Sequence, residues 1–138
     1  MLGRLFHQVD LIGRGLDATW LRQEVIAQNV GNANTPDYKS KRVDFEEAFA
    51  RALRGDTGFK ARRTRERHID FGGTFGDPLT VVPRVAINSH YTMRMDGNNV
   101  DIDQEETALA ENTIRYDTMN AKLNAEFSRL KMAIKEGR

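Results

Sequence analysis

The chain of 138 residues contains no cysteine. That absence removes disulfides, thiolate metal sites and cysteine nucleophiles together, and fits a reducing or an oxidising compartment equally. Aromatic residues are sparse at 8%, hydrophobic residues make up 39%, charged residues 30%, and the mean hydropathy is −0.61. Such a composition suits helices with narrow apolar stripes better than a thick globular core. No sign of charge dominates. The 21 basic and 20 acidic side chains leave a net charge of +1, whereas a dedicated nucleic-acid binder usually carries a clear basic excess. No run approaches the roughly 18 apolar residues of a membrane span. The opening MLGRLFHQVDLIGRG is interrupted every few positions by polar or charged residues, so no cleaved secretory signal is expected.

Catalytic constellations are also missing. His7, His68 and His90 fall in three separate segments without the HExxH spacing of a zinc site. Asp96, Asp101, Asp103, Glu105 and Glu106 lack the alternate-position ligands of a calcium loop. Helix capping explains these acids better. The sequence therefore assigns no catalytic, cofactor-binding or metal-ligating residue. The basic run Lys60, Arg62, Arg63, Arg65 and Arg67 is the best case for nucleic acid, but Phe59 is its only aromatic and Glu66 interrupts it. A helical RNA-binding or adaptor protein using the loop at 60–67 is the alternative reading.

What is present is periodicity. Leu2, Leu5, Val9, Ile12 and Leu16 step by three and four, and Ile26 and Val30 resume the register after a polar gap at Thr19 and Gln23. This predicts a helix over about 2–31. Gly13 and Gly15 weaken its middle by about 1 kcal/mol each relative to alanine. Gly31 and Asn32 are expected to end it in left-handed conformation, and Pro36 holds Thr35 extended. Trp20 lies in the polar gap, either packed in the core or against a neighbouring subunit. A second helix is expected at about 44–54, capped by Asp44 with Glu47 in the reciprocal position. Its face is Phe45, Phe49, Ala52 and Leu53, and Gly55 closes it. Residues 56–99 carry turn signals at Gly72–Gly73, Gly76–Asp77–Pro78 and Asp96–Asn99. Short strands are expected at 79–82 and 85–87, kept at an edge by Pro83.

The last helix is expected at about 101–136. Asp103 is its predicted N-cap, with Glu106 three residues on. Acids crowd its start, and Arg129, Lys131 and Lys135 crowd its end, the order the helix dipole favours. Leu109, Tyr116, Leu123 and Leu130 recur every seven residues, with Thr113, Asn120, Phe127 and Ile134 as the partner series. The fold class is therefore mainly α. Long N- and C-terminal helices pair as a coiled-coil-like hairpin, with a short third helix and an irregular middle with little β. The paired helices occupy 1–35 and 100–138, and the middle spans 36–99. Leu5, Val9, Ile12, Leu16, Ile26, Leu109, Tyr116, Leu123, Phe127, Leu130 and Ile134 form the expected seam. On pattern alone, that seam is closed within one molecule or completed by other copies.

The stretch AQNVGNANTPDYKSKRVDFEEAF resembles the N-terminal motif of the rod and hook family of bacterial flagellar axial proteins, with matches at Asn29, Val30, Asn32, Thr35, Pro36 and Tyr38. It departs at Gly31, where the family favours Ala, and at Asp37, where it favours Gly. MRMDGNNVDIDQEETALAENTIRY is similar to the family's entry into the C-terminal helix, and RHI at 67–69, the short length and the lack of an inserted outer domain point to its proximal rod members. The resemblance implies a structural, non-enzymatic subunit of the flagellar basal body. Such a subunit is exported through the type III apparatus without signal cleavage, and polymerises through its terminal helices into a hollow periplasmic shaft that transmits torque. The implied partners are other copies, neighbouring rod proteins, and the export gate and rod adaptor protein at the MS ring, with no cofactor, nucleic acid or membrane span.

Overall fold

A computed structural model describes residues 2–54, 77–89 and 94–136. Helix α1 spans Leu2–Gly31, strand β1 Lys41–Asp44, helix α2 Glu46–Arg54, a 3₁₀ turn Pro78–Thr80, strand β2 Arg84–Ile87 and helix α3 Ile102–Glu136. At 1.5 Å per residue, α1 and α3 are about 45 and 50 Å long. They pack antiparallel. Asn29 meets Glu105, Thr19 meets Asn112, and Gly15 meets Met119, so α1 numbers fall as α3 numbers rise. The mainly α fold with paired terminal helices and little β is the one the sequence predicts.

The rotation of α3 differs in part from the heptad expectation. Leu109 and Leu123 are half-buried and Leu130 is buried, so their column faces α1, with Tyr116 at its exposed margin. The partner series turns away: Thr113, Phe127 and Ile134 are exposed. Its inward place is taken by Glu105, Asn112, Met119 and Glu126, which are buried or half-buried. The polar gap of α1 is the reason. Asn112 Nδ2 donates to the Thr19 carbonyl and to Gln23 Oε1, both at 2.9 Å, while Thr19 Oγ1 turns back onto the Leu16 carbonyl. A buried amide takes the register that gives it partners. One turn on, Gly15 is a notch, since a Cβ there would come within 2.9 Å of Met119 Sδ.

The apolar core lies where α1 meets the short elements. Ala18, Val25, Val43 and Phe45 form it, with Leu21, Phe49 and Val81 packed against them. Phe45 and Phe49 stack with ring centroids 4.8 Å apart. β1 and β2 form a two-stranded antiparallel sheet that pairs Lys41 with Ile87 and Asp44 with Arg84. Glu46, the first residue of α2, is ion-paired to Arg22 of α1 and to Arg115 of α3 (3.3 Å). Both pairs are partly exposed and contribute little each, but they tie three helices at one point.

Several local expectations are corrected. Asp44 ends β1 and does not cap α2, whose first backbone bond runs from Phe49 N to the Phe45 carbonyl. Residues 79–82 are not a strand: Pro78 fits the first turn of a 3₁₀ helix, capped by Asp77 Oδ1 accepting from Leu79 N at 2.9 Å. The cap of α3 is Asp101, whose Oδ1 accepts from Asp103 N at 3.1 Å and Gln104 N at 3.4 Å, so Asp103 is inside the helix. Neither Gly31 nor Asn32 is left-handed, because among the described residues only Asp37 and Gly97 have positive φ. Trp20 is 65% exposed and no part of the core. Gly55, the basic run at 60–67, His68, His90 and the glycine turns at 72–73 and 76 lie outside the described residues.

A Cβ at Gly13 would meet nothing within 4 Å. Gly13→Ala is expected to raise stability by about 0.5–1 kcal/mol through helix propensity alone. Gly15→Ala is expected to gain less, because Met119 must move. Urea unfolding of both variants measures the difference.

Candidate functional site

The motif residues sit in the corner that joins α1 to β1, at residues 29–41. Its geometry is fixed by asparagine side chains bonded mostly to main chain. Asn29 is 1% exposed and uses its whole amide. Nδ2 donates to the Lys41 carbonyl and to Glu105 Oε1, both at 2.8 Å. Oδ1 accepts from Lys41 N at 2.9 Å and from the Tyr38 hydroxyl at 3.2 Å. Two donors and two lone pairs are an amide's full capacity. Asn32 Nδ2 closes the end of α1 on the Gln28 carbonyl at 2.7 Å, and Thr35 Oγ1 donates to Asn32 Oδ1 at 3.3 Å. Pro36 is exposed at the apex.

The second half of the site comes from residues 94–100, just before α3. Asn98 is fully buried. Its Nδ2 points at three main-chain carbonyls of the corner, Asn32 (3.0 Å), Ala33 (3.1 Å) and Thr35 (2.8 Å), and its Oδ1 accepts from Val100 N at 2.7 Å. Asn99 Oδ1 accepts from Ser40 N, and its Nδ2 donates to the Asn88 carbonyl, both at 2.6 Å. The Arg94 guanidinium donates to the Ala33 carbonyl at 2.9 Å. Asp37 N donates to the Asp96 carbonyl at 2.9 Å, and Lys39 Nζ donates to the Gly97 carbonyl. Corner and loop interlock.

Two backbone positions allow the approach. Asp37 has φ 60° and Gly97 has φ 80°. Asp tolerates the left-handed region better than most residues. Gly97 needs no Cβ: one would stand 2.3 Å from Asp37 Oδ1.

Charge sits at the margin of this clasp. Burial raises the Glu105 carboxyl above its ordinary pKa; the hydrogen bond from Asn29 lowers it, and nearby Asp101 raises it further. Burial also raises the Tyr38 phenol, with the negative charge of Glu105 adding to it. The described residues hold no group of three His, Asp or Glu that could bind a metal ion, and no described helix is long and apolar enough to cross a membrane.

Of the predicted motif residues, Asn29, Asn32, Thr35 and Tyr38 are brought together by these bonds, and Pro36 stays outside them. The seam residues differ in exposure. Ile26 and Leu130 are buried. Val9, Ile12, Leu16, Leu109 and Leu123 are half-buried, and Tyr116, Phe127 and Ile134 are exposed. The Leu5 side chain lies outside the described set. At the far end of the helix pair, Val9, Gly13, Leu79, Leu123 and Phe127 line an open groove of about 480 Å³. Asn98, Asn99 and Arg94 are not among the predicted site residues; the signal is the run Asp96–Gly97–Asn98–Asn99, which the sequence reading takes as a turn and as part of the family's entry into the C-terminal helix, not as a partner of the corner.

No family model matches the chain. Its relatives among characterised proteins define a class, the structural rod proteins of the bacterial flagellar basal body. The chain is 32% identical over 118 residues to the flagellar basal body rod protein FlgB of Bacillus subtilis, covering 86% of this chain and 85% of that protein. It is 38% identical over 116 residues to FlgB of Cereibacter sphaeroides, with 83% of each covered. It is 32% identical over 115 residues to FlgB of Borreliella burgdorferi, covering 82% and 84%. The chain belongs to the FlgB family.

Removing a fully bonded buried amide strands several partners at once. Asn29→Ala and Asn98→Ala are each expected to cost on the order of 3 kcal/mol, and Asn32→Ala, whose bonds are exposed, about 1 kcal/mol or less. Denaturant midpoints of the three variants give the ranking.

Glu105 has a raised folded pKa, so its contribution to stability is complete below the unfolded value of about 4.3 and is lost as pH climbs through the folded value. Glutamine keeps the acceptor for Asn29 without the charge. Glu105→Gln is therefore expected to match the parent at acid pH and to be the more stable protein at neutral pH. Unfolding curves across that range check the sign.

Proposed function

We propose that the chain is a subunit of the proximal rod that polymerises through its terminal helices into the hollow periplasmic drive shaft, transmitting torque and forming part of the export channel. Segments 1–35 and 100–138 build the rod core, and 36–99 lies outside it. The subunit leaves the cytoplasm by flagellar type III export without signal cleavage. Its neighbours are other copies, other rod proteins, and the export gate and adaptor at the MS ring.

One observation carries this reading. After α1 and α3 have paired, both still expose large apolar side chains: Phe6, Trp20 and Val30 on α1, and Ile114, Phe127, Met132 and Ile134 on α3. Full burial of such a side chain contributes about 1.5–3 kcal/mol, and covering these recovers the part still exposed. A lone helix pair forgoes that gain; a packed tube collects it from many subunits. Gly13 fits the same picture. With no packing reason inside the molecule, it keeps α1 marginal, which suits a chain that travels unfolded.

The test uses exposed positions, so that folding and assembly separate. Ile114→Asp combined with Ile134→Asp is expected to leave monomer unfolding nearly unchanged while abolishing motility and the labelled subunit's place in isolated basal bodies seen by electron microscopy. A motile strain with normal incorporation of that double variant rejects the reading.

A further inference from the structure

The turn inside the clasp holds a reactive dipeptide. Asp96–Gly97 is the only Asp-Gly or Asn-Gly pair in the sequence. At such a pair the glycine amide nitrogen, unhindered by a side chain, attacks the aspartyl carboxyl carbon. A C–N bond forms, the carboxyl C–O bond breaks, and one water leaves to give a cyclic succinimide. One water then reopens the ring at either carbonyl, yielding aspartate or β-linked isoaspartate. No oxidant, reductant or cofactor enters.

The folded chain engages every group this step needs. Gly97 N donates to the Arg94 carbonyl at 3.2 Å. Asp96 Oδ1 accepts from Asn98 N at 3.1 Å, and the Asp96 carbonyl accepts from Asp37 N at 2.9 Å. Gly97 is fixed at φ 80° against the Asp37 carboxylate. Ring closure requires the Gly97 nitrogen to give up its proton and the Asp96 side chain to swing onto it. That breaks the first two bonds and turns the peptide that carries the third.

We propose that Asp96 is an isoaspartate-forming site gated by the clasp, silent while corner and loop are interlocked and open in the unfolded chain. Isoaspartate at 96 lengthens the main chain by one methylene inside the turn. Asn98 then loses its reach to the carbonyls of Asn32, Ala33 and Thr35, and the altered chain does not close the clasp again. The inference is independent of the rod reading, since it requires only that the chain spends time unfolded.

The full chain is held at neutral pH, folded in buffer and unfolded in urea, and isoaspartate at 96 is followed by peptide mapping with enzymatic methyl transfer to the isoaspartyl carboxyl. Formation is expected to be roughly tenfold or more faster in urea, as for any site exposed only by opening. Asp96→Glu is expected to abolish it. Arg94→Ala, which removes one tie to Ala33, and Asn98→Ala, which removes the central one, are expected to raise the rate in buffer. If Asn98→Ala unfolds outright, as circular dichroism would show, its rate should equal that in urea. Equal rates in buffer and urea for the parent chain, isoaspartate formed elsewhere than 96, or both clasp variants staying at the parent's folded rate would overturn the proposal.

Discussion

A side-chain amide buried away from water must find partners for two N–H groups and one carbonyl oxygen, or cost the fold dearly. Asn29 and Asn98 meet that demand by reaching across more than 60 residues of sequence. Asn29 holds α1 to the start of β1 and to the first turn of α3, while Asn98 holds the segment before α3 to the end of α1. The crossing point of the two long helices is thereby set at one end. From there the helices run side by side, and Asn112, bonded to the Thr19 carbonyl and Gln23, fixes their rotation farther on.

Away from the clasp the chemistry along the pair of long helices changes. Near it lies the aliphatic and aromatic core of Val25, Val43 and Phe45. Midway, Asn112 satisfies its amide nitrogen on α1, while its Oδ1 has no partner among the described residues. Farther on, Met119 rests on the Gly15 notch, and beyond that Glu126 keeps one carboxylate oxygen without a partner. Still farther along α3, Leu130 is buried again, so polar and apolar contacts alternate along the pair.

Much of this was legible in the sequence. Thirty and thirty-five residue helices announce themselves by apolar spacing and by charge order along α3. The left-handed position was placed a few residues early, at Gly31 and Asn32; it falls at Asp37, where the family resemblance calls for glycine. Rotation could not be read. Heptad counting paired the column of Leu123 with that of Phe127, but Asn112 needed a carbonyl and took Thr19, turning Phe127 outward. Caps missed by a few residues for a related reason. Asp44 and Asp103 have the right chemistry, but β1 claims the first, and Asp101 reaches the free amides of α3 before the second. The corner was legible as a turn but not as half of a clasp, since its partner lies in a distant turn and local patterns carry no pairing information.

The clasp's bonds have a lopsided grammar. Asn98 addresses the carbonyls of residues 32, 33 and 35, Asn99 addresses the backbone of 40 and 88, and Asn29 addresses both main-chain groups of 41. Every residue type but proline supplies those groups alike. Three positions therefore hold the vocabulary while their listeners are anonymous. The half-buried side chain at 41 can drift as neighbouring surfaces change and the junction still closes, whereas Ala33 and Ser40 are buried and are held by their packing as well.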